Sequence, residues 1–251
     1  GKYTFNHGHC TRAAWFDCSC CPSNLMRFIP YVPNLIYATE NDNVYVNLFI
    51  ANQATIPVNG KEINITQATN YPWDGSVKMN VTSASSDPFA LKIRIPKWIE
   101  KEGLGSELYS YVDQDDAANE TWTVLLNGEP VEASLDKGYL TINRVWSDDV
   151  IELTFPMEVR QVVADERIET NCGLTAITYG PLVYCMEEVD NPAFDKVKIT
   201  PDTKFVVEEA PELLNGINTL VSKDNNATVI LIPYYAWSNR GVNKMKVWLP
   251  R

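Results

Sequence analysis

The segment His7-Gly8-His9-Cys10-Thr11-Arg12-Ala13-Ala14-Trp15-Phe16-Asp17-Cys18-Ser19-Cys20-Cys21-Pro22-Ser23-Asn24 gathers both histidines of the chain and four of its six cysteines. Adjacent cysteines rarely bond to each other, because a vicinal disulfide strains the joining peptide. Two neighbouring thiolates can instead share one zinc ion, which suits soft sulfur ligands and keeps a thiol ionised near neutral pH. A thiolate so held is a competent nucleophile toward a substrate carbon within reach. A self-contained zinc site from Cys18, Cys20, Cys21 and His9 is one arrangement the segment allows, although it lacks the separated cysteine pairs of familiar zinc modules. The alternative is a set of buried thiols with no role, since cysteine is commonly buried without one. Cys172 and Cys185 lie far along the chain, and a sequence of this size needs no disulfide framework.

What must position these thiols is a helix followed by strands. Between Pro22 and Ala38 the apolar residues Leu25, Met26, Phe28, Ile29, Val32, Leu35 and Ile36 recur at mixed helical spacing. Ser23 or Asn24 is the expected cap, and Pro30 and Pro33 split the segment into one or two short helices. So much apolar surface on a short helix calls for a helical neighbour that the rest of the chain does not offer.

After Asn41-Asp42-Asn43 the pattern changes to period two, beginning with Val44–Ile50. Lys61–Thr66, Ser76–Thr82, Ala90–Ile95, Thr121–Leu126, Tyr139–Asn143 and Val150–Thr154 continue it. Asn59-Gly60 and Asn127-Gly128 are hairpin turns, and Asp74-Gly75 and Lys137-Gly138 punctuate further strands. A second β region starts after Pro156-Met157, with Leu174–Tyr179, Leu182–Met186, Lys204–Val207, Thr219–Ser222, Val229–Ile232 and Met245–Leu249. Glu158–Cys172 reads as a connection between the two regions, and the acidic stretch Glu100–Glu120 as a surface loop. The seven tryptophans are scattered beside or inside strands, which makes core packing the default over a sugar platform.

The bulk properties exclude several classes. The 251 residues carry a net charge of −11, so a nucleic-acid backbone would be repelled while a neutral sugar would not. No apolar run approaches the roughly 20 residues of a membrane span.

The run Trp15-Phe16-Asp17-Cys18-Ser19-Cys20-Cys21-Pro22-Ser23-Asn24 resembles the Cys-Cys-Pro motif of the β-L-arabinofuranosidases of glycoside hydrolase family 127. Tyr71-Pro72-Trp73-Asp74-Gly75, Leu91–Trp98, Tyr179–Tyr184 and Ile232–Arg240 are similar to later segments of that family. The resemblance implies a retaining exo-glycosidase acting on an L-arabinofuranoside or related glycan. In that family a helical (α/α) barrel precedes β-sandwich domains, a zinc-bound cysteine attacks the anomeric carbon, and a glutamate serves as acid/base. It makes Cys20 the nucleophile and a zinc ligand, and Cys21 a second ligand. Cys18 matches a less constrained place.

The other two ligands, including a glutamate, and the acid/base should lie upstream of the pair. Only 19 residues precede Cys20, and none is a glutamate. A barrel of about a dozen helices does not fit in them. The expectation is therefore an all-β chain of two β-sandwich or jelly-roll-like domains preceded by a short helical remnant of an (α/α) barrel. Residues 1–40 would be the remnant, 41–157 the first sandwich and 158–251 the second. The expected cofactor is Zn2+ in the full-length parent, and the isolated chain is expected to be inactive. A non-catalytic carbohydrate-binding or structural β module is the competing reading.

Overall fold

The computed structural model describes residues 19–99, 106–112, 122–132, 134–223 and 228–251. They form two compact units, the first from described residues within 19–99 and 122–156, the second from those within 106–112 and 157–251.

The first unit opens with helix α1 (Cys20–Tyr31) and the single turn α2 (Pro33–Ile36). Pro30 lies inside α1 and Val32 carries the joint, its N–H bonded back to Phe28 and Ile29 carbonyls. A proline has no N–H to continue the ladder and crowds the preceding turn, so the split falls where the two prolines place it. The helix begins at Cys20, with Ser19 before it, rather than at the expected Ser23 or Asn24. Ser23 lies inside the first turn, and its hydroxyl bonds the Ser19 and Cys20 carbonyls at 3.0 and 3.1 Å.

Six strands follow: β1 (Tyr37–Glu40), β2 (Asn43–Val46), β3 (Asn52–Val58), β4 (Lys61–Thr69), β5 (Ser76–Ser83) and β6 (Phe89–Arg94). The chain then contributes β7 (Tyr109–Tyr111) to the second unit. It returns as β8 (Thr123–Leu126), β9 (Glu129–Pro130), β10 (Leu135–Asp136), β11 (Tyr139–Arg144) and β12 (Asp148–Thr154). One sheet has the order β1-β2-β6-β11-β10, the other β3-β4-β5-β12-β8-β9. Only β2 and β6 run parallel; the other pairs are antiparallel.

Alternation does the sorting. In β5, Val77, Met79 and Val81 are buried while Ser76, Lys78 and Asn80 are exposed. Leu91 and Ile93 of β6 and Leu140 and Ile142 of β11 meet Ile63, Ile65, Ile151 and Leu153 of the other sheet in one core, so this unit is a β-sandwich. Trp146 is fully buried there and donates its indole N–H to the Phe89 carbonyl. Asn59-Gly60, Asn127-Gly128 and Lys137-Gly138 all have positive φ at both residues, the hairpin geometry that glycine and asparagine tolerate.

The second unit adds β13 (Val159–Ala164), β14 (Leu174–Tyr179), β15 (Leu182–Glu187), β16 (Val206–Ala210), β17 (Ile217–Ser222), β18 (Val229–Pro233), β19 (Met245–Lys246) and β20 (Leu249–Pro250). They make one continuous sheet in the order β16-β17-β18-β15-β14-β13-β7, with β19 on β15 and β20 on β14. Its main core joins Ile177, Tyr184, Met186, Leu220 and Leu231 to Phe194, Val197 and Ile199 from the segment after β15.

Two expectations are corrected here. Glu158–Cys172, read as a connection, holds the interior strand β13. Buried Arg160 and Gln161 hide it by interrupting its apolar pattern. The acidic stretch 100–120, read as a loop, supplies β7, which pairs with β13. Its aspartates Asp113, Asp115 and Asp116 lie outside the described residues.

Candidate functional site

Cys20 and Cys21 occupy the first two positions of α1, and both are exposed. The positive end of the helix faces their side chains. Their sulfurs stand 3.8 Å apart. That is far beyond an S–S bond of about 2.05 Å. Zinc–sulfur bonds of about 2.3 Å at a tetrahedral angle place two ligand sulfurs roughly 3.8 Å apart. The pair therefore fits one edge of a tetrahedral zinc site, half of a cage. Among the described residues no third His, Cys, Asp or Glu joins it. His9 and Cys18, which would complete the four-residue set, lie outside the described residues, as does Cys10.

The helix that carries the pair has no buried residue. Met26 is 75% exposed and Ile29 63%, with Leu25, Phe28 and Tyr31 about half exposed. Polar surface helices do not look like this; the pattern is that of a helix whose neighbours are not among the described residues.

The two remaining cysteines have other settings. Cys172 is exposed, and its thiol points to the Glu166 and Ile168 carbonyls at 3.6 and 3.8 Å. Cys185 is buried on β15, where desolvation and the nearby Glu187 push its thiol up to about 12. It is a core residue, not a reactive one.

The later segments that resemble the glycosidase family turn out to be structural joints. Tyr71 accepts a hydrogen bond from the Trp98 indole at 3.0 Å and packs with Phe49 and Phe155; burial pushes its hydroxyl pKa up. Asp74 accepts the Ser76 N–H at 2.8 Å, and Gly75 lies against the Phe155 backbone. Tyr184 donates to the Asn218 carbonyl. The buried carboxylate of Glu187 accepts the Ser238 N–H at 2.6 Å and pairs with Arg240, whose guanidinium also grips Asp190. These carboxylates hold the guanidinium charged, and Asp190 contributes most. The segments were legible in sequence but this role was not, because most of the partners lie tens of residues away, as Arg240 and Asp190 do.

Of the tryptophans, Trp146 is in the core and Trp98 and Trp122 pack against it. Trp248 stacks on Tyr109 and Trp237 on Tyr234. Trp73 is 44% exposed, and Trp15 is outside the described residues.

Comparison with known proteins adds the following. Residues 43–157 match the family model described as the middle domain of GH127 β-L-arabinofuranosidase, and residues 159–250 match the glycoside hydrolase family 127 C-terminal domain. A non-reducing end β-L-arabinofuranosidase from Bifidobacterium longum subsp. longum is 31% identical over 96% of this chain and 38% of that protein. A GH127 β-arabinofuranosidase structure superposes with a TM-score of 0.87 at 40% identity, covering 96% of this chain and 40% of its own. Ara127N, a GH127 β-L-arabinofuranosidase from Geobacillus stearothermophilus T6, gives 0.83 at 31% identity, covering 98% and 39%. The chain thus spans about two fifths of the length of these relatives.

Proposed function

The chain belongs to glycoside hydrolase family 127, and from that premise we propose that it supplies the cysteine half of a retaining exo-glycosidase site acting on β-L-arabinofuranosides. The observation that carries this is the pair of exposed thiols 3.8 Å apart at the start of α1. Cys20 is the nucleophile and a zinc ligand; Cys21 is the second ligand. Zinc, when bound, holds the thiols ionised and fixes their direction.

The rest follows from the chemistry of the Cys20 sulfur. It attacks the anomeric carbon, a C–S bond forms, and the glycosidic C–O bond breaks as the leaving oxygen takes a proton from an acid. Water then attacks the same carbon from the face opposite the sulfur, gives up a proton to the conjugate base of that acid, and the sulfur leaves as the thiolate. Two inversions restore the original configuration. Cys21, fixed one residue away on the same turn, sets the direction of the pair. Among the described residues no carboxylate stands with the thiols, so the isolated chain is proposed to be inactive.

The test is hydrolysis of an aryl β-L-arabinofuranoside by the 251-residue chain and by the full gene product, each with and without Cys20→Ala. Turnover by the gene product alone, abolished by the substitution, is expected. Turnover by the isolated chain would overturn the division of the site. A gene product that cleaves no glycoside would overturn the function itself.

A further inference from the structure

Three asparagines of this chain are followed by glycine: Asn59, Asn127 and Asn215. In such a pair the glycine nitrogen can attack the asparagine side-chain carbonyl carbon, because glycine has no Cβ to crowd the approach. A C–N bond closes a five-membered succinimide. The proton of the glycine N–H and the side-chain amide nitrogen leave together as ammonia. Water then opens the ring to aspartate or isoaspartate. Nothing but water is consumed, so what decides the rate is how firmly the fold holds the reacting groups.

Asn59 and Asn127 make a controlled comparison. Each begins a two-residue turn between antiparallel strands, Asn59 between β3 and β4 and Asn127 between β8 and β9. Their backbones match, with φ of 48° and 79° at Asn59-Gly60 and 53° and 84° at Asn127-Gly128. The hold on the side chain is what differs. Asn127 is tied at both ends: Nδ2 donates to the buried Asp149 at 2.8 Å, and Oδ1 accepts the Val150 N–H at 2.8 Å. Asn59 has one bond, exposed, from Nδ2 to Asp42 Oδ1 at 2.8 Å. No acceptor among the described residues takes the Gly60 N–H, and the space where a Gly60 Cβ would stand is open. At Asn215 the attacking nitrogen is itself engaged, since the Gly216 N–H donates to the Leu213 carbonyl at 2.9 Å.

We propose that Asn59 is a site of spontaneous hydrolytic modification, and that its conversion opens a clasp at one end of the sandwich. Asp42 lies in the turn between β1 and β2, which belong to the sheet opposite β3 and β4. The Asn59–Asp42 bond therefore links a turn of one sheet to a turn of the other. Conversion removes the donor and sets a new carboxylate against that of Asp42. An attraction becomes a repulsion between like charges, and the chain gains one negative charge beyond its −11.

The experiment is peptide mapping by mass spectrometry of the 251-residue chain held at mildly alkaline pH, native and in denaturant. Unfolded, the three Asn-Gly steps should convert at like rates. In the native chain Asn59 should convert first, about tenfold faster than Asn127, whose two hydrogen bonds must break before it can react. Native conversion led by Asn127 or Asn215, or the same order of rates in denaturant, would overturn the assignment. The clasp is tested by substitution. Asn59→Asp should lower the melting midpoint by about 2 °C. Adding Asp42→Asn, which restores a donor facing a carboxylate, should recover it. An Asn59→Asp chain as stable as the parent, or one that Asp42→Asn fails to rescue, would show that conversion opens nothing.

Discussion

The four described cysteines separate by surroundings alone. Cys20, Cys21 and Cys172 are exposed, whereas Cys185 is 1% exposed with its thiol pushed up to about 12 from a reference of 9.0. Three pH units correspond to about a thousandfold less thiolate, and burial blocks access as well. Peptide mapping after brief maleimide treatment of the native chain should show Cys20, Cys21 and Cys172 modified and Cys185 intact until denaturant is added. Modification of Cys185 in the native chain would mean that β15 opens readily. The proposed zinc site adds a sharper expectation: Zn2+ should protect Cys20 and Cys21 but not Cys172, and either Cys20→Ala or Cys21→Ala should abolish protection of the other. Equal labelling of Cys20, Cys21 and Cys172 with and without zinc would remove the support for shared coordination. Sequence pattern exposed the pair because two adjacent thiols have few structural uses. It could not tell exposed Cys172 from buried Cys185, since that depends on which strand becomes central.

At the scale of elements, the hairpin turns were legible because their signal is local. Asn127-Gly128 predicts its own backbone, and the structure shows positive φ at both positions. The tertiary lock on that turn was not legible. Asn127 Nδ2 donates to Asp149 at 2.8 Å, its Oδ1 accepts the Val150 N–H, and Asp149 also accepts the Ser147 N–H and pairs with Arg144. Burial pushes the Asp149 carboxyl up, but the Ser147 and Asn127 hydrogen bonds and the Arg144 charge together outweigh it, so the net shift is downward from 3.8. A carboxyl with a depressed folded-state pKa stabilises the fold above its unfolded pKa, and that contribution fades as pH drops through the folded value. Asp149→Asn should therefore destabilise by about 1–2 kcal/mol at pH 7. The gap to the unmodified chain should narrow below pH 3.8. A gap unchanged from neutral to acid pH in denaturant melts would show that shape, not charge, is what Asp149 provides. Gly75 is a second such joint. A Cβ there would meet the Phe155 carbonyl oxygen at 1.9 Å, against backbone that also bonds Gly75. Gly75→Ala should cost about 3 kcal/mol, read as a lower denaturation midpoint. An Ala variant as stable as the parent would show that the β5 and β12 ends separate freely.

For the whole molecule, the net charge of −11 disfavours polyanionic partners, but the topology has the more specific consequence. The second unit is not continuous in sequence: β7, from a stretch some fifty residues before β13, forms the end of its sheet. Three ladder pairs join them, extended by the Asp165 N–H to the Leu108 carbonyl and the Val112 N–H to the Gln161 carbonyl. Tyr111 is 4% exposed beneath the Arg160 guanidinium, which lies 3.2 Å from its ring centroid, and Tyr109 stacks on Trp248. So short a strand within a polar, acidic stretch gives no periodic signal, and its pairing is nonlocal, which is why the sequence alone reads as a loop there. A fragment starting at Met157 would expose the β13 edge together with Val162 and Ala176, a strand edge free to pair with another chain. Such a fragment should aggregate or melt well below the intact chain. Fusing Ser106–Val112 to it through a flexible linker should restore the melting behaviour and association state of the intact chain. In the intact chain, Tyr111→Ala should by itself cost about 3 kcal/mol, since it empties a buried aromatic site and strips Arg160 of its ring. A fragment from Met157 onward that is monomeric and as resistant to denaturant as the intact chain would show that β7 decorates this sheet rather than completes it.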